Sequence, residues 1–348
     1  MHFTNFFTMK NVFLVIAALI LLAACKRDFS VNADYEDFPI VMGLIKTSEK
    51  THYVKVYKSF VTEHNAYDAA KDIHFYSYID SVDVYMEEYD AKGKVLRTIA
   101  FDTTTEIPKN AGIFAFPTQI LYKTNAELNP QYTYQLFVYN RFTKKMAYSN
   151  SISLADNVVL SRPVSYLLTI TDGSFIIDFY PSHNTYLYEF SLTFYYSEIM
   201  KDYSVKQGKP IEWNIGQLPA QSSSSLLLSY STSQGSILFQ RIANGIANNE
   251  NVISRHTDSI VLSVSSAGKD WYYYILANRP SSGINQNRLD YTNISAYKVG
   301  EEDKKLYALG LFSSRETTNK MFRDFTIAAN DSLFHGRYTG HLKFTNIY

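Results

Sequence analysis

The fold class is decided by the stretch Asp80-Ser-Val-Asp-Val-Tyr-Met-Glu-Glu-Tyr89 and by the residues that follow it, Asp90-Ala-Lys-Gly-Lys-Val-Leu-Arg-Thr-Ile99. Val82, Val84 and Met86 recur at every second position, which places them on one face of a strand. A short loop that contains glycine then returns the chain into a second strand. The stretch therefore predicts a β-hairpin and, with it, a mainly β protein.

Strand patterns of the same kind lie on both sides of this hairpin. Thr51–Tyr57 and Tyr132–Tyr139 alternate in the same way. Residues 39–156 are thus predicted to form a β-sandwich that resembles the immunoglobulin or fibronectin type III kind, and its topology stays open because the Cys-Trp-Cys signature is absent. Within it, residues 65–71 fit either a single helical turn, which Asn65 could cap, or an excursion between strands.

Residues 157–348 are predicted to form a second β-rich domain with one packed helix. Asp172-Gly173 predicts the turn of a hairpin over Tyr166–Tyr180. Further strands are predicted at 186–196, 226–230, 261–265, 271–276, 307–312 and 340–344. An apolar stripe at helical spacing predicts the helix near 237–247 and consists of Leu238, Phe239, Ile242, Ala243 and Ile246.

Composition agrees with a folded β protein and excludes several classes. Hydrophobic residues make up 46% of the 348 residues and charged ones 19%, which argues against a disordered chain. Aromatic residues reach 16%, a content that suits half-buried strands. Because 33 Lys and Arg balance 33 Asp and Glu, charge gives no case for nucleic acid as a partner.

The N-terminus carries an export signal. An apolar run of 13 residues, Val12–Ala24, follows Lys10 and is too short for a bilayer core of ~20 residues. The pattern predicts a signal peptide over residues 1–24, with either Met1 or Met9 as the translation start. The last positions, Leu22-Ala-Ala-Cys25, match the lipobox of bacterial lipoproteins and predict lipidation of Cys25.

Lipidation of Cys25 would anchor the protein to a membrane. Cys25 is the only cysteine, so no intramolecular disulfide can form. Residues 25–38 are polar and without periodicity, and they are predicted to be a flexible tether. Lys26 follows the cysteine where inner-membrane retention is associated with Asp, which favours the outer membrane, on either its cell-surface or its periplasmic face.

The sequence predicts no catalytic residue, no metal site and no cofactor. The sequence has no P-loop, dinucleotide fingerprint, nucleophile elbow or EF-hand loop. Ser266-Ala-Gly-Lys269 matches the Ser-x-x-Lys pattern but reads as a polar turn. His64 and His74 fit either a local metal site or, with more weight, solvated loop residues.

The row Trp271-Tyr-Tyr-Tyr274 is the candidate ligand-binding feature. On a strand, Trp271 and Tyr273 would share one face, where they could stack on sugar rings. The competing interpretation is that these rings fill a sandwich core.

Four tripeptides resemble the O-glycosylation acceptor used on exported proteins in Bacteroidota, Asp followed by Ser or Thr and then an apolar residue or Thr. They predict modification at one or more of Ser81, Thr103, Ser259 and Ser332.

Several blocks together resemble a family of Bacteroidota outer-membrane lipoproteins of unknown function. They include His52–Phe60, Tyr85–Tyr89, Asp290-Tyr-Thr-Asn-Ile294 and Gly310-Leu-Phe-Ser-Ser-Arg315. The resemblance implies an N-terminal β-sandwich followed by a β-rich part, and a gene often near TonB-dependent receptors. This chain inserts Ser295–Leu309, which we expect to lengthen a surface loop.

The resemblance supplies no catalytic residues, so three hypotheses about function follow. The first is a non-enzymatic, lipid-anchored binding or assembly component of the outer membrane, working with other envelope proteins. The alternative is an accessory lipoprotein that captures a glycan or peptide beside a TonB-dependent receptor. A hydrolase with scattered catalytic residues is the third, weaker alternative.

Overall fold

The computed structural model describes residues 35–63, 65–171, 173–220, 226–279 and 291–346. Within these ranges the chain is mainly β, as the sequence predicts. The elements before residue 157 are β1 (Pro39–Ile45), β2 (Thr51–Lys58), α1 (Ala66–Ala69), α2 (Ile73–Tyr76), β3 (Val82–Tyr89), β4 (Val95–Thr104), β5 (Leu121–Asn125), β6 (Thr133–Asn140), β7 (Lys145–Ser149) and β8 (Ile152–Ser153).

These strands form two sheets that share one core. One sheet has the order β1-β2-β5-β4, and the other has the order β4-β3-β6-β7. Strand β4 belongs to both, because its first part pairs with β3 while Asp102–Thr104 pair with β5. Val54, Met86 and Leu136 come from the inner faces and pack in the same cluster, as expected for a sandwich.

Most of the remaining elements build a second core. The remaining elements are β9 (Val159–Arg162), β10 (Leu167–Leu168), β11 (Phe175–Tyr180), β12 (Leu187–Met200), β13 (Val205–Gln207), β14 (Ile211–Pro219), β15 (Leu228–Thr232), α3 (Ile237–Gly245), β16 (Val252–Ala267), α4 (Lys269–Ala277), β17 (Ile294–Lys298), β18 (Glu301–Leu306), β19 (Leu309–Phe322), β20 (Asp324–Phe325), α5 (Ile327–Phe334) and a short 3₁₀ helix (Gly340–Leu342). The main sheet has the order β13-β12-β16-β19, with β14 also paired to β12. Helix α3 lies where the apolar stripe predicts it, with Leu238, Phe239 and Ile242 buried.

Strand β19 connects the two cores. Leu309–Ser314 pair in parallel with β1, and Arg315–Phe322 pair antiparallel with β16. The edge of Leu309–Ser314 that faces away from β1 bonds to the side chain of Asn293. This side chain donates to Phe312 O (2.7 Å) and accepts from Phe312 N (2.9 Å). Two of the blocks that carry the family resemblance, 290–294 and 310–315, are therefore hydrogen-bonded to each other.

The chain returns to the first core after residue 291. The predicted insertion Ser295–Leu309 is wrong as a loop, because it forms the hairpin β17–β18 that extends the sheet from β7. Ile294, Ala296 and Phe312 are buried in the first core. The predicted division of the chain after Asp156 stays a prediction, but no pattern in the sequence indicates that the chain returns to the first core.

Two further strand predictions are wrong. Residues 271–276 form helix α4, since β16 ends at Ala267 and Gly268 N donates to Ser314 O (2.9 Å), which turns the chain across β19. Of residues 340–344, Gly340–Leu342 form the 3₁₀ helix instead, and Lys343 has a left-handed φ of 59°, which interrupts an extended strand.

The hairpin predicted over 166–180 is also wrong. Strand β10 pairs with β20, whereas β11 lies between β9 and β15. Leu168 is fully buried in the core, and its carbonyl oxygen accepts from Thr326 N (3.0 Å). These contacts replace the predicted pairing of β10 with β11. Asp172 of the predicted turn lies outside the described residues.

The described end of the predicted tether, residues 35–38, packs on the sandwich rather than extending freely. Lys145 Nζ donates to Asp37 O (2.8 Å) and lies 2.8 Å from a carboxylate oxygen of Glu36. Phe38 N donates to Ser59 Oγ (2.9 Å). A flexible segment between Cys25 and the folded part would therefore end before Tyr35.

We expect Gly310→Ala to destabilise the protein strongly. Gly310 has a φ of 131°, and a Cβ there would lie 1.8 Å from Val41 O on the neighbouring strand β1. The free energy of unfolding, measured in urea, should fall by at least about 3 kcal/mol. Gly300→Ala is the control, since Gly300 also has a positive φ (90°) but nothing within 4 Å. Its loss should stay near 1 kcal/mol, and equal losses would contradict the role of β19 given above.

Candidate functional site

The candidate site is a polar cleft of about 660 Å³ on the outer face of the second sheet. Along β12, Phe190 and Leu192 point into the core, so Glu189 and Ser191 lie on the opposite face. Glu189 is paired in register with Ser265 of β16 and with Gln217 of β14. The lining thus comes mainly from hydroxyl, amide and charged side chains of neighbouring strands.

Glu189 is the centre of the hydrogen bonds in this cleft. Its Oε2 accepts from Arg315 Nη2 (3.0 Å) and from Trp271 Nε1 (3.3 Å). Its Oε1 accepts from Gln217 Nε2 (3.1 Å), and Gln217 Oε1 in turn accepts from Arg279 Nη2 (3.2 Å). One carboxylate therefore fixes the positions of three other side chains.

Arg315 is held by Glu189 and Trp271 but keeps one hydrogen-bond donor without a partner among the described residues. Its guanidinium lies 5.7 Å from the centroid of the Trp271 ring, in the range of a cation–π contact. Arg315 Nε is buried and has no hydrogen-bond partner in the described structure. Among the described residues that line the cleft, Arg315 and Arg279 stand against the single carboxylate of Glu189, so these side chains carry one excess positive charge. The cleft can bind a carboxylate or another oxyanion.

The predicted pair Trp271 and Tyr273 does not share a face. On helix α4 two positions differ by about 200°, so only Trp271 reaches the cleft. The Tyr273 ring instead lies 5.5 Å from Tyr272 and 5.9 Å from Tyr291. Tyr291 donates to Asp270 Oδ1 (2.7 Å), and burial together with this bond raises the pKa of Tyr291.

Trp271 positions Arg315 rather than offering a free stacking surface. Its ring is in contact with the guanidinium and lies 5.9 Å from the ring of Tyr274. Its backbone N–H also donates to Ser313 Oγ on β19 (3.1 Å). The sequence thus indicates the right residue for the site, but with a different role.

Sequence reasoning missed Glu189, Arg315 and Arg279. The available signal was a charged residue inside a strand pattern, as Glu189 is within the predicted strand 186–196. Arg315 likewise ends the block Gly310–Arg315. Nothing in their spacing indicates that these distant positions meet.

The other predicted site residues lie away from this cleft or outside the described ranges. Cys25 and the signal peptide are not among the described residues. Of the glycosylation candidates, Thr103 is exposed on β4, whereas Ser81, Ser259 and Ser332 are partly buried. Modification at these residues stays a prediction, and exposure favours Thr103.

The described ranges contain neither a cluster of metal-ligating side chains nor a long apolar helix. There, no group of three or more His, Cys, Asp or Glu side chains could hold a metal ion. His74 Nδ1 lies 2.7 Å from Asp72 Oδ1, while His64 is outside the described residues. No helix in these ranges combines the length and the apolar character that a membrane crossing needs.

We expect Glu189 and Arg315 to be energetically coupled. A double-mutant cycle with Glu189→Gln and Arg315→Met should give a coupling of about 1 kcal/mol in urea unfolding, because the pair is partly buried and hydrogen-bonded. The control is the exposed pair Glu301–Lys304 (2.9 Å), whose coupling should stay below about 0.5 kcal/mol. A coupling no larger than that of the control would show that Glu189 does not fix Arg315.

Comparison with known proteins adds no family. No family model matches the chain, and no curated protein matches it. Two solved structures of alpha-2-macroglobulin from Escherichia coli, one trypsin-activated and one native, align with 9% and 8% identity and TM-scores of 0.17 in both cases. The alignments cover 69% and 85% of this chain but only 15% and 14% of the other chains, and similarity at this level carries no argument about fold or function.

Proposed function

We propose that this protein is a lipid-anchored, non-enzymatic binding component of the bacterial outer membrane, and that its cleft captures an acidic ligand. The lipobox at Leu22–Cys25 supports the anchor. The observation that carries the ligand class is Arg315, held by Glu189 and Trp271 with a buried Nε that lacks a partner.

The lining favours an acidic glycan over a peptide. Ser191, Asn214, Gln217 and Ser265 provide hydroxyl and amide groups that can bond to sugar hydroxyls. Arg315 and Arg279 provide guanidinium groups for a carboxylate such as that of a uronic acid. Recognition would depend on these polar groups, since the Trp271 ring already contacts Arg315.

Delivery of the glycan to a TonB-dependent receptor is the proposed context, and it rests on the resemblance described above. Assembly through strand addition is less well supported. The edge strand β18 carries Glu301, Glu302, Lys304 and Lys305, and charged edge strands oppose pairing with another chain. A receptor contact would therefore use a different surface.

Ligand binding can be followed by the fluorescence of Trp271. Trp213 is buried in the second core, so Trp213→Phe isolates the signal of Trp271. We expect oligogalacturonate to change this emission and a neutral oligosaccharide of equal length to leave it unchanged. Arg315→Met should weaken binding at least about tenfold, because it removes a charge-assisted hydrogen bond.

The control for this titration is Lys304→Met, which removes a cation that does not line the cleft and should leave the affinity unchanged. A flat response, or an equal response to the acidic and neutral sugars, would refute the acidic-glycan cleft.

The anchor is tested separately with Cys25→Ser. We expect the wild-type protein to sediment with outer membranes and the variant to be lost from them, since the acyl chains hold a lipoprotein in the bilayer. Protease treatment of intact and lysed cells then reports the leaflet. Digestion on intact cells favours capture from outside, and protection until lysis favours a periplasmic role. Equal membrane retention of both proteins would exclude Cys25 as the anchor.

A further inference from the structure

Unpartnered polar atoms gather on one surface of the first sandwich. Among the described residues, ten buried side-chain atoms lack a hydrogen-bond partner, and five belong to Tyr57, Tyr76, Ser77, Lys109 and Gln119. A buried donor without an acceptor costs on the order of 1–3 kcal/mol. Such a concentration indicates that something outside the chain completes these bonds.

Ring contacts show that Tyr57, Tyr76 and Lys109 of this set lie together, with Lys55 beside them. The rings of Tyr57 and Tyr76 are 5.1 Å apart, and Tyr76 is 5.0 Å from Phe114. Lys109 Nζ lies 4.8 Å from the Phe114 centroid and 5.6 Å from that of Tyr76. Lys55 Nζ lies 5.1 Å from the centroid of Tyr57. We call the group of Lys55, Tyr57, Tyr76, Lys109 and Phe114 the lysine–tyrosine surface.

The lysine–tyrosine surface offers donors and positive charge. The side chain of Tyr76 is only 2% exposed, yet its hydroxyl is unpartnered. The neighbouring Ala115 N–H donates instead to Ala70 O (2.9 Å). Burial, with the charge of Lys55, lowers the pKa of Lys109.

Nearby carboxylates already have partners. Asp68 pairs with Lys71 (2.8 Å), Asp72 with His74 (2.7 Å) and Glu106 with Lys123 (2.8 Å). An oxyanion from outside would provide acceptors for the hydroxyls and a counter-charge for both lysines.

Large apolar side chains surround these donors and face water. Ile113 is 59% exposed, Phe116 56%, Val61 43% and Phe75 40%. Apolar groups beside lysines are the combination that binds at a membrane interface, where the chains contact acyl groups and the cations contact phosphates.

The first described residue after the predicted anchor lies beside this surface. The Tyr35 hydroxyl donates to Ser59 Oγ, and Ser59 follows Tyr57 by two residues. Ten residues separate Tyr35 from Cys25, a length that can span at most about 35 Å. A lipid on Cys25 would therefore keep the bilayer within reach of Lys55, Lys109 and the exposed rings.

We propose that the lysine–tyrosine surface docks on the bilayer that holds Cys25. A lipid phosphate binds at Lys55 and, once the loop that carries Phe114 shifts, also at Lys109 and the hydroxyls of Tyr57 and Tyr76, which that loop covers in the structure as described. Ile113 and Phe116 enter the headgroup region. Docking fixes the first sandwich on the membrane. The proposal rests on the lipid anchor proposed above but not on the ligand of the cleft.

The test uses the full mature chain with Cys25→Ser, so that no acyl chain contributes. Sedimentation is measured with vesicles of phosphatidylcholine alone and of an equimolar mixture with phosphatidylglycerol. We expect binding to the mixed vesicles, lowered at least about tenfold by Lys55→Gln with Lys109→Gln. Ile113→Ser with Phe116→Ser, both at exposed positions, should lower it as well. Thermal unfolding confirms that each variant is folded.

Matched controls come from the second domain. Lys320, which lies 5.4 Å from the centroid of the Tyr166 ring, controls for the lysines, and the exposed Met321 and Ile327 control for the apolar pair. Substituting them in the same way should leave binding unchanged. Equal losses in the control variants, or equal binding to both kinds of vesicle, would overturn the proposal.

Inorganic phosphate distinguishes a membrane from a free anion. Calorimetric binding of phosphate that depends on Lys109, together with no binding to either vesicle, would overturn membrane docking and assign a soluble anion. A negative vesicle test would refute membrane docking without affecting the Trp271 titration, which tests the ligand of the cleft. A negative fractionation result with Cys25→Ser would refute only the lipid anchor. The failures of the three proposals can therefore be told apart.

Discussion

Continuous hydrogen bonding along β19 is the constraint on which the rest of the structure depends. Six residue pairs join its first half to β1, and eight join its second half to β16. At the junction, the buried carboxylate of Glu316 accepts from Thr47 Oγ1 and Ser48 N, both at 3.0 Å. The position of the second sheet relative to the first sandwich is therefore set by one strand and by polar contacts at its midpoint.

The same strand places the candidate site. Arg315 is the first residue of β19 that pairs with β16, and it meets Glu189 two strands away. Helix α4 crosses β19 at this point and brings Trp271 over the guanidinium. The cleft thus lies where the chain passes from one core to the other.

Local patterns in the sequence predicted the elements whose burial alternates. Strands β2, β3, β6 and β12 were evident because their inward residues recur at every second position. Helix α3 was evident from its apolar stripe. The predictions failed where tertiary contacts decide the conformation, as at α4, whose aromatic residues favour a strand in isolation.

The candidate site could be predicted only in part for a related physical reason. Trp271 stood out by residue type, whereas Glu189 and Arg315 gain their meaning from the pairing of β12, β16 and β19. A single sequence contains the strand patterns but not the order of the strands in the sheet. The unpartnered donors at Tyr76 and Lys109 were equally invisible, since a missing hydrogen bond is a property of packing.

The parallel pairing of β1 and β19 also has a mechanical consequence. Ile40 lies beside Leu309 and Ile45 beside Ser314, so both strands run away from the end at which the N-terminal segment enters. A pull on that segment and an opposing pull on a ligand held near Arg315 act along the strands in opposite directions. Such a load shears all six pairs at once instead of separating them one after another. The paired segments of β1 and β19 are thereby arranged to resist such tension.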